Sequence, residues 1–521
     1  SGAQSFIGGG YSNIANNAYA TVVGGISNCA TGLYSFIGGG NTNKACCNFS
    51  FIGGGNNNTN SSYYGIAVGG KNNSASGTYT ALVGGISNTA SGGGSFIGGG
   101  STNKATEAYT VVVGGQLNLA SGACAAIVGG SFNTGSGAFS FIGGGCKNTA
   151  SGVYNTVSGY QNCTSGHSSV SLGRSNKAVN AHTVSMGVNN CASGDTSTVS
   201  GGYANWASGS WSTIAGGRAN CTTAIHAFVG GGCKNTASGA CAAIAGGCNN
   251  TASGGYAFIG AGELNNINGG WGVISGGAAN SILLGCRMSG IASGWQNSIC
   301  SCNSIIGGGL SNTISGTYYN TIGGGRVNTM ATTYGTIGGG YGNLVNGTRA
   351  VVAGGESNYA YNEYSGILGG YNSTITHNRA MIIGSQLSSG AACTTYTNAL
   401  SKASGTFRIS HPDPSKTNTK YLQHSFVESP TRGDNLYRCT FTTSNYSSSI
   451  ELPSYYKFLN ENTQIFISAV EHFGNAYGKV NAECSCIDFR SNCDGEYNVL
   501  IVGTRKDIDA LNGWTGVEVW K

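Results

Sequence analysis

Apolar, glycine and asparagine residues recur along most of the chain with a period of fifteen. The consensus unit is I-G-G-G-x-x-N-x-A-S-G-x-Y-S-F, and its positions are numbered from one at the isoleucine. The asparagine of position seven keeps the period without a slip from Asn13 to Asn148, and 26 units fit between Ile7 and Ile382. The period slips at three places: near Gly159–Gly187, at Ile282–Ile291 and near Thr321.

Each unit predicts one coil of a β-solenoid, with two short strands joined by two tight turns. Fifteen residues are too few for a helical repeat, which needs roughly thirty or more. The apolar-aromatic run Tyr34, Phe36, Ile37 is typical of a strand. The stretch Asn-x-Ala-Ser-Gly predicts a turn, because Asn and Gly tolerate positive φ. We therefore predict an all-β fold, a parallel β-roll or β-solenoid of about 26 fifteen-residue coils over residues 1–390.

Stacked coils would place equivalent residues directly above one another at ~4.8 Å, giving a rod of roughly 125 Å. Position seven then predicts an amide ladder and position thirteen a stack of aromatic rings. A recurring glycine triplet indicates close approach of another backbone along the whole length. Because so thin a coil buries little core, we expect several chains to pack lengthwise with their glycine faces together. The residues that mark the repeat are Ile7, Gly9, Asn13, Ile37, Gly39 and Asn43.

Composition divides the chain near residue 390. Residues 1–390 hold 12 Lys/Arg and 5 Asp/Glu, whereas residues 391–521 hold 12 and 13, together with all four prolines. The second part carries the alternating pattern of strands in Thr406–Ile409, Gln464–Val470 and Tyr497–Val502. We predict a linker over 391–402 and a C-terminal β-sandwich-like cap domain over 403–521, which would cover the exposed edge of the last coil.

Several classes of protein are excluded by the same composition. The 92 glycines lack the three-residue period of collagen. No continuous apolar run reaches the ~18–20 residues of a membrane span. The positive charges of the shaft are spread singly, so we expect no nucleic-acid partner, and no motif calls for a cofactor. The opening SGAQSFIGGG resembles the middle of a repeat, so we expect the gene product to continue upstream of Ser1.

The shaft units resemble the head repeats of YadA-like trimeric autotransporter adhesins, which form a left-handed parallel β-roll. The resemblance lies in the small Ser before the apolar strand, the Ile-Gly turn and the Ala-Ser-Gly turn, as in Ala90-Ser91-Gly92 and Ala150-Ser151-Gly152. It implies a homotrimer. The departures are a period of fifteen where the family has about fourteen, and three glycines where it has one. Similar Asn-Thr-Ala-Ser-Gly repeats occur in phage and large-virus fibre proteins.

The C-terminal part resembles an uncharacterised domain of tail-fibre-like and large-virus fibre proteins. The resemblance rests on the stretch from His411-Pro412 through Tyr437 and on Gly503-Thr504-Arg505-Lys506-Asp507. It implies a distal or trimer-registering cap without known chemistry. His411, His424 and Glu428 could form a metal set, but a role in tying loops together is the favoured reading. Arg432-Gly433-Asp434 spells an integrin-type tripeptide that arises easily by chance.

The chain has 19 cysteines, which favours an oxidising, extracellular location. Residues fifteen apart would stack at a spacing that suits a disulfide, so we predict a Cys233–Cys248 bond. Cys163, Cys191 and Cys221 would lie two coils apart and stay unpaired with one another. In the cap, Cys484 or Cys486 is expected to reach Cys493; reduced cysteines acting as apolar fillers are the rival reading. Candidate glycosylation sites are Asn57, Asn60, Asn72, Asn162, Asn220 and Asn346, although an Asn-Thr-rich repeat generates such sequons by chance.

We therefore expect a structural, non-catalytic extracellular fibre that provides reach and attachment on a virion or a cell surface. Its partners would be further copies of the chain and a host-surface glycan or protein receptor. Two alternatives stay open: a glycan-binding adhesin of a bacterial surface and a tailspike-type enzyme that cleaves glycans. The adhesin would use exposed rings at Trp206, Trp211, Trp271 and Trp295. The enzyme would need clustered carboxylates, but the acidic residues of the shaft are far apart: Glu107, Asp195, Glu263, Glu356 and Glu363.

Overall fold

The computed structural model describes residues 2–398, 406–410, 421–425, 434–483 and 485–506. The chain divides into two compact units, Ser1–Asn398 and Ala399–Lys521. The first unit is the shaft and the second the C-terminal unit. They are described in turn.

The shaft is a parallel β-solenoid, which confirms the predicted fold. Its strands are mostly two residues long and form two sheets that run along the stack. Sheet one contains 27 strands, beginning with Phe6–Ile7 and ending with Thr395–Thr397. Sheet two runs from Ile14–Ala15 to Thr374–Ile375. Neighbouring strands pair in parallel at a register of fifteen, as in Phe36 opposite Phe51.

The core is as thin as the repeat predicted. In most coils position one supplies a large apolar side chain and position nine a small one, whereas most coils from Ile267 to Ile375 bury a large side chain at position nine as well. Ile37 and Ala45 are both fully buried. Ile7 occupies the same position as Ile37 but is 46% exposed, because it lies in the first coil and is covered from one side alone.

Two residues per coil hold the left-handed backbone conformation that turns the chain. They stand at positions six and thirteen, as in Thr42 with φ 58° and Phe49 with φ 59°. The N–H of Phe49 donates to the Leu33 carbonyl of the preceding coil at 2.8 Å, whereas the strand N–H of Phe36 donates to Ser50 in the following coil at 2.9 Å. These hydrogen bonds in both directions stabilise a conformation that costs a residue other than glycine about 1–2 kcal/mol.

The three predicted slips are coils of different length. Register near Gly159–Gly187 falls to fourteen, because the glycine of position three is absent there; Tyr160 lies opposite Cys146. The sheet-one strands in this region lengthen to Phe141–Cys146, Thr156–Tyr160, Val170–Arg174 and Val184–Val188. At the second slip Val273 pairs with Gly290, seventeen residues on. At the third, Ile305 pairs with Thr321, sixteen residues on.

The shaft extends into the range predicted as a linker. Strand Thr395–Thr397 pairs with Met381–Ile383 and continues sheet one. The boundary between units lies after Asn398, so residues 391–398 belong to the shaft. The rest of that range, 399–402, lies outside the described residues.

The C-terminal unit is built from antiparallel strands. Thr406–Ser410 pairs with Tyr421–Ser425. One three-stranded sheet has the order Asp434–Thr442, Glu496–Arg505, Asn460–Ala469, and another has Ser447–Glu451, Cys486–Ser491, Ala476–Val480. A short helix spans Tyr456–Leu459. The rings of Phe441 and Phe489, one from each three-stranded sheet, stack at 4.0 Å, so these sheets pack face to face around a buried core.

Candidate functional site

The outer face of sheet one is uncharged along the shaft and apolar in most coils. It is formed by positions fifteen and two, which flank the buried position one and point the opposite way. No coil carries a charged residue at either position. Phe51, Val68 and Val113 are among the exposed members of this face. The apolar stretches are interrupted by coils with Thr and Ser, as at Thr198 and Ser200. Large exposed apolar patches are typical of interfaces rather than of free surfaces.

In part of the shaft the two positions of this face complement one another in size. Wherever position fifteen is Phe, the residue two places later is Gly, and in most of these coils the ring lies against it. A methyl group on Gly98 would lie 2.4 Å from the carbonyl oxygen of Val113 and 3.5 Å from ring carbon Cε1 of Phe96. Some coils with a smaller residue at position fifteen carry a larger one at position two, as in Ala81 and Val83. Gly98 therefore makes room both for the backbone of the next coil and for the ring.

The glycines of positions three and four obey different constraints. At position four the backbone has φ near +90°, and a methyl group on Gly85 would lie 2.1 Å from the carbonyl oxygen of Gly100. At position three, Gly84 meets nothing within 4 Å and its φ is unexceptional. The chain's own fold therefore requires the fourth glycine but not the third. Open glycines of this kind recur along the shaft: Gly24, Gly69, Gly84, Gly99, Gly114, Gly129, Gly201, Gly216, Gly231, Gly246, Gly276, Gly324, Gly339, Gly354 and Gly369.

Sheet two presents the opposite character to solvent. Its outward positions eight and ten carry mainly Thr, Ser and Asn, interspersed with charged side chains. Lys44, Lys104 and Lys177 all lie at position eight. The shaft is thus amphipathic around its circumference, with one uncharged face and one hydrated face.

The predicted amide ladder is present and structural. Asn43 is fully buried, and its Nδ2 donates to the carbonyl oxygens of Gly39 at 3.0 Å and Gly55 at 2.9 Å. Its Oδ1 accepts the N–H of Asn58 at 3.0 Å. Three hydrogen bonds per side chain satisfy the buried polar groups of the turn. Gly9 and Asn13 make the same contact in the first coil, at 2.8 Å.

The aromatic stack of position thirteen is also present. Tyr19 and Tyr34 stack at 4.5 Å, and Phe49 and Tyr64 at 4.6 Å. Stacked rings cover one another's faces and expose their edges. The ring of Tyr256 stacks on the ring of Trp271, with 5.4 Å between the centroids. The guanidinium carbon of Arg287 lies 5.7 Å from the centroid of the Trp271 ring.

The four tryptophans of the glycan-binding hypothesis do not share a site. Trp211 stacks on His226 at 5.3 Å in the column of position thirteen. Trp206 belongs to sheet two, between Cys191 and Cys221, and its Nε1 donates to Ser193 at 2.9 Å. Trp295 pairs with Ala278 and Leu310 at position five. Sugar binding through a shared aromatic platform therefore finds no support in their arrangement.

The cysteine columns follow the predicted phase. Cys233 lies directly opposite Cys248 on the neighbouring coil, and both thiols are free in this structure. Desolvation, reinforced by the Cys233 thiol, raises the pKa of Cys248. The disulfide itself stays a prediction. Lys177 separates Cys163 from Cys191, and Trp206 separates Cys191 from Cys221, as the spacing of two coils required.

The candidate glycosylation sites divide into two groups. Asn57, Asn72 and Asn346 have exposed side chains. Asn60, Asn162 and Asn220 are buried, and their amides donate to backbone carbonyl groups inside the shaft. A sugar on any of these three would displace those hydrogen bonds and could not fit, so the folded shaft offers no acceptor at these positions.

In the C-terminal unit, Cys486 begins the extended strand Cys486–Ser491 and Cys493 lies two residues beyond its end; both thiols are free in this structure. The predicted Cys486–Cys493 pairing stays a prediction. Five residues of these predictions lie outside the described residues: Cys484, His411, Glu428, Arg432 and Gly433. His424 belongs to the strand Tyr421–Ser425. Within the described ranges, no group of three or more His, Cys, Asp or Glu side chains is arranged to hold a metal ion.

No helix in the described part of the chain is long and apolar enough to span a membrane.

No protein-family model matches the chain, and no curated protein matches it. The elongated β-solenoid fits a fibre-like structural protein on its geometry alone.

Proposed function

We propose that the chain is a subunit of an extracellular fibre, in which identical copies associate lengthwise through the outer face of sheet one. The observation that carries this proposal is the uncharged, mostly apolar face that accompanies the shaft over its length. The open glycines of position three support it independently, because a second backbone at van der Waals distance would explain a small residue that the single chain does not need.

The size of the face suits a stable interface. Twenty-seven strands at ~4.8 Å extend roughly 125 Å, and positions fifteen to three span ~10 Å. The face therefore offers on the order of 1,200 Å² per chain, against ~800 Å² per partner in a standard stable interface. At ~25 cal/mol per Å² of apolar surface, its burial would stabilise the assembly substantially.

The number of chains is proposed to be three. Support comes from the resemblance of the shaft units to trimeric autotransporter heads and from the three coils of fourteen residues, which match that family's period. The many cysteines and the polar face of sheet two suit an extracellular location on a virion or a cell surface. Reach and attachment, to a host-surface glycan or protein, would then be its role.

Sedimentation equilibrium of the full chain tests the proposal. We expect a trimer mass for the unmodified chain and a shift toward monomer for Val83→Lys, which places a charge on the proposed interface. Ser76→Lys is the matched control, because Ser76 is exposed on the face of sheet two and should leave the mass unchanged. A monomeric wild-type chain with intact β-sheet circular dichroism would overturn the proposal. A monomer that binds or cleaves surface polysaccharide would favour the adhesin or the tailspike enzyme.

A further inference from the structure

A pocket lies beside the longest coil of the shaft, where the register between Val273 and Gly290 is seventeen. Its volume is about 470 Å³, within the range of roughly 300–1,000 Å³ that is typical of small-ligand sites. Leu284 and Gly285, which belong to the insertion, line it together with positions ten to thirteen of neighbouring coils. These positions form a turn of the coil and do not belong to the outer face of sheet one.

Two glycines keep this pocket open. Gly255 and Gly270 stand at position twelve, which is Leu33 in another coil. A methyl group on Gly270 would meet only the carbonyl oxygen of Gly255, at 3.6 Å, and one on Gly255 would meet only that of Ala240, at 3.8 Å. These are ordinary van der Waals distances, so the shaft itself does not require glycine at either position. A larger side chain at position twelve would occupy the pocket.

The same glycines leave a backbone donor unused. In another coil the N–H of Leu33 donates to the side-chain oxygen of Asn48, which stands at position twelve one coil further on, at 3.0 Å. Gly255 has Gly270 at the corresponding place, so no side chain supplies the oxygen. The N–H of Gly255 has no hydrogen-bond partner in the described part of the chain. An oxygen atom of a ligand would fit where Asn48 places its own.

Polar and apolar groups lie on the lining beside this donor. The Ser253 hydroxyl donates to the side-chain oxygen of Asn268, and Nδ2 of Asn268 has no acceptor among the described residues. The stacked rings of Tyr256 and Trp271 are 57% and 49% exposed. Stacked rings present apolar edges, whereas the amide presents a hydrogen-bond donor. This combination suits a sugar, which carries both C–H groups and hydroxyl groups.

One charged residue lines the pocket, and it is a cation. The Arg287 guanidinium carbon lies 5.7 Å from the centroid of the Trp271 ring, and the side chain is exposed. No carboxylate pairs with it within the described ranges. A guanidinium presents a planar set of N–H donors that matches the two oxygens of a carboxylate. The charge of the pocket therefore favours an acidic ligand.

We propose that this pocket binds a carboxylate-bearing sugar, a sialic or uronic acid unit of a surface glycan. Arg287 holds the carboxylate, the Gly255 N–H and Asn268 Nδ2 donate to ligand oxygens, and the ring edges of Tyr256 and Trp271 contact its C–H groups. The site uses one tryptophan and does not need the shared platform of four.

An acidic peptide fits the pocket less well than a sugar. Extended peptides gain affinity by adding a strand to an open sheet edge, and this pocket lies at a turn between two sheets. The proposal rests on the attachment role proposed above, for which it names the ligand class. It does not rest on the trimer, because all of its groups belong to one chain.

The test is isothermal titration calorimetry of the full chain with sialyllactose, a hyaluronan tetrasaccharide, lactose and an acidic peptide. We expect binding of one or both acidic sugars, which identifies the source of the carboxylate, and none of lactose. Arg287→Gln should weaken binding at least about tenfold, because a charge-assisted hydrogen-bond pair is lost. Gly270→Leu should abolish it by filling the pocket.

Matched controls are Gly93→Leu and Arg218→Gln. Gly93 also stands at position twelve, where a methyl group would meet only the Thr78 carbonyl oxygen at 3.8 Å, and Arg218 is exposed at position five. Both should bind like the wild type, and circular dichroism checks that all four variants keep the β fold. Unchanged affinity in Gly270→Leu, equal binding of lactose, or binding of the peptide alone would overturn the proposal.

Sedimentation of the same samples separates this proposal from the assembly. A trimer that binds neither acidic sugar overturns the site and leaves the fibre interface intact. A monomer that binds an acidic sugar, and loses it in Gly270→Leu, overturns the trimer and supports the site.

Discussion

The side-chain oxygen of Asn118 accepts the backbone N–H of Asn133, one coil further along, at 3.1 Å. Its Nδ2 donates to the carbonyl oxygens of Gly114 at 3.0 Å and Gly130 at 2.9 Å. The side chain thus links the Gly114 carbonyl group of its own turn to the Gly130 carbonyl group and the Asn133 N–H of the next coil. Only an amide supplies one acceptor and two donors in this geometry, which explains why position seven is so regularly Asn.

Asn118→Asp should therefore destabilise the shaft strongly. The carboxylate keeps an acceptor but loses both donors, so two buried carbonyl oxygens each lose a partner at about 1–3 kcal/mol. We expect a lower thermal unfolding midpoint and new proteolytic cleavage near coil 112–126. Asn189→Asp is the control, because Asn189 is exposed. Equal midpoints for the two variants would show that the ladder does not stabilise the shaft.

Much of the shaft could be predicted because its repeat is local. Ile37, Asn43 and the stacked rings each follow from one period of fifteen and one spacing between strands. The left-handed conformation of Phe49 could not be predicted, because it depends on hydrogen bonds between coils rather than on the residue's own preference. The different constraints on Gly84 and Gly85 could not be predicted either, because the sequence shows the same residue type at both positions.

Position fourteen should tolerate alanine. Ser95 is buried, and its hydroxyl has no hydrogen-bond partner among the described residues. Other coils place Ala there, as in Ala125 and Ala242, which are equally buried. Removing an unpaired buried hydroxyl relieves a desolvation cost. Ser95→Ala should therefore leave the unfolding midpoint unchanged or raise it, as measured by differential scanning calorimetry. A fall of several degrees would reveal a partner for the hydroxyl.

Two adjacent glycines should respond differently to the same substitution. Gly85→Ala forces a methyl group to 2.1 Å from a backbone oxygen at φ +91°, so we expect loss of β-sheet signal or a large drop in stability. Gly84→Ala meets nothing within 4 Å in its own chain. It should fold normally and weaken association, because the methyl group would separate the packed shafts. The measurements are circular dichroism for folding and sedimentation for mass; an unaltered trimer in Gly84→Ala would place the interface elsewhere.

Alkaline pH should destabilise the C-terminal unit. Burial raises the pKa of Tyr437 above its ordinary value of 10.0, while a hydrogen bond from Asn460 at 2.9 Å acts in the opposite direction. Below pH 10 the phenol is protonated in both states, and its contribution to stability is fully present. Above pH 10 the unfolded phenol ionises first, so stability falls by up to about 1.4 kcal/mol per pH unit. Urea midpoints measured from pH 9 to 11 should fall less steeply in Tyr437→Phe than in the exposed control Tyr446→Phe.

Cys233 and Cys248 should be joined within one chain when the protein is isolated without reductant. They lie opposite each other on neighbouring coils, where the Cα separation of ~4.8 Å falls within the range of about 4.4–6.8 Å that a disulfide accepts. Both thiols are free in this structure, and the Cys233 thiol contributes to raising the pKa of Cys248. Non-reducing peptide mapping should recover the two peptides as one species, and Cys233→Ser should leave Cys248 open to alkylation.

Cys163 and Cys191 are the internal control: an intervening coil carrying Lys177 keeps them roughly 10 Å apart, so no linked peptide should form between them. Free thiols at both Cys233 and Cys248 after exposure to oxidised glutathione would contradict the prediction and favour cysteines that act as small apolar fillers.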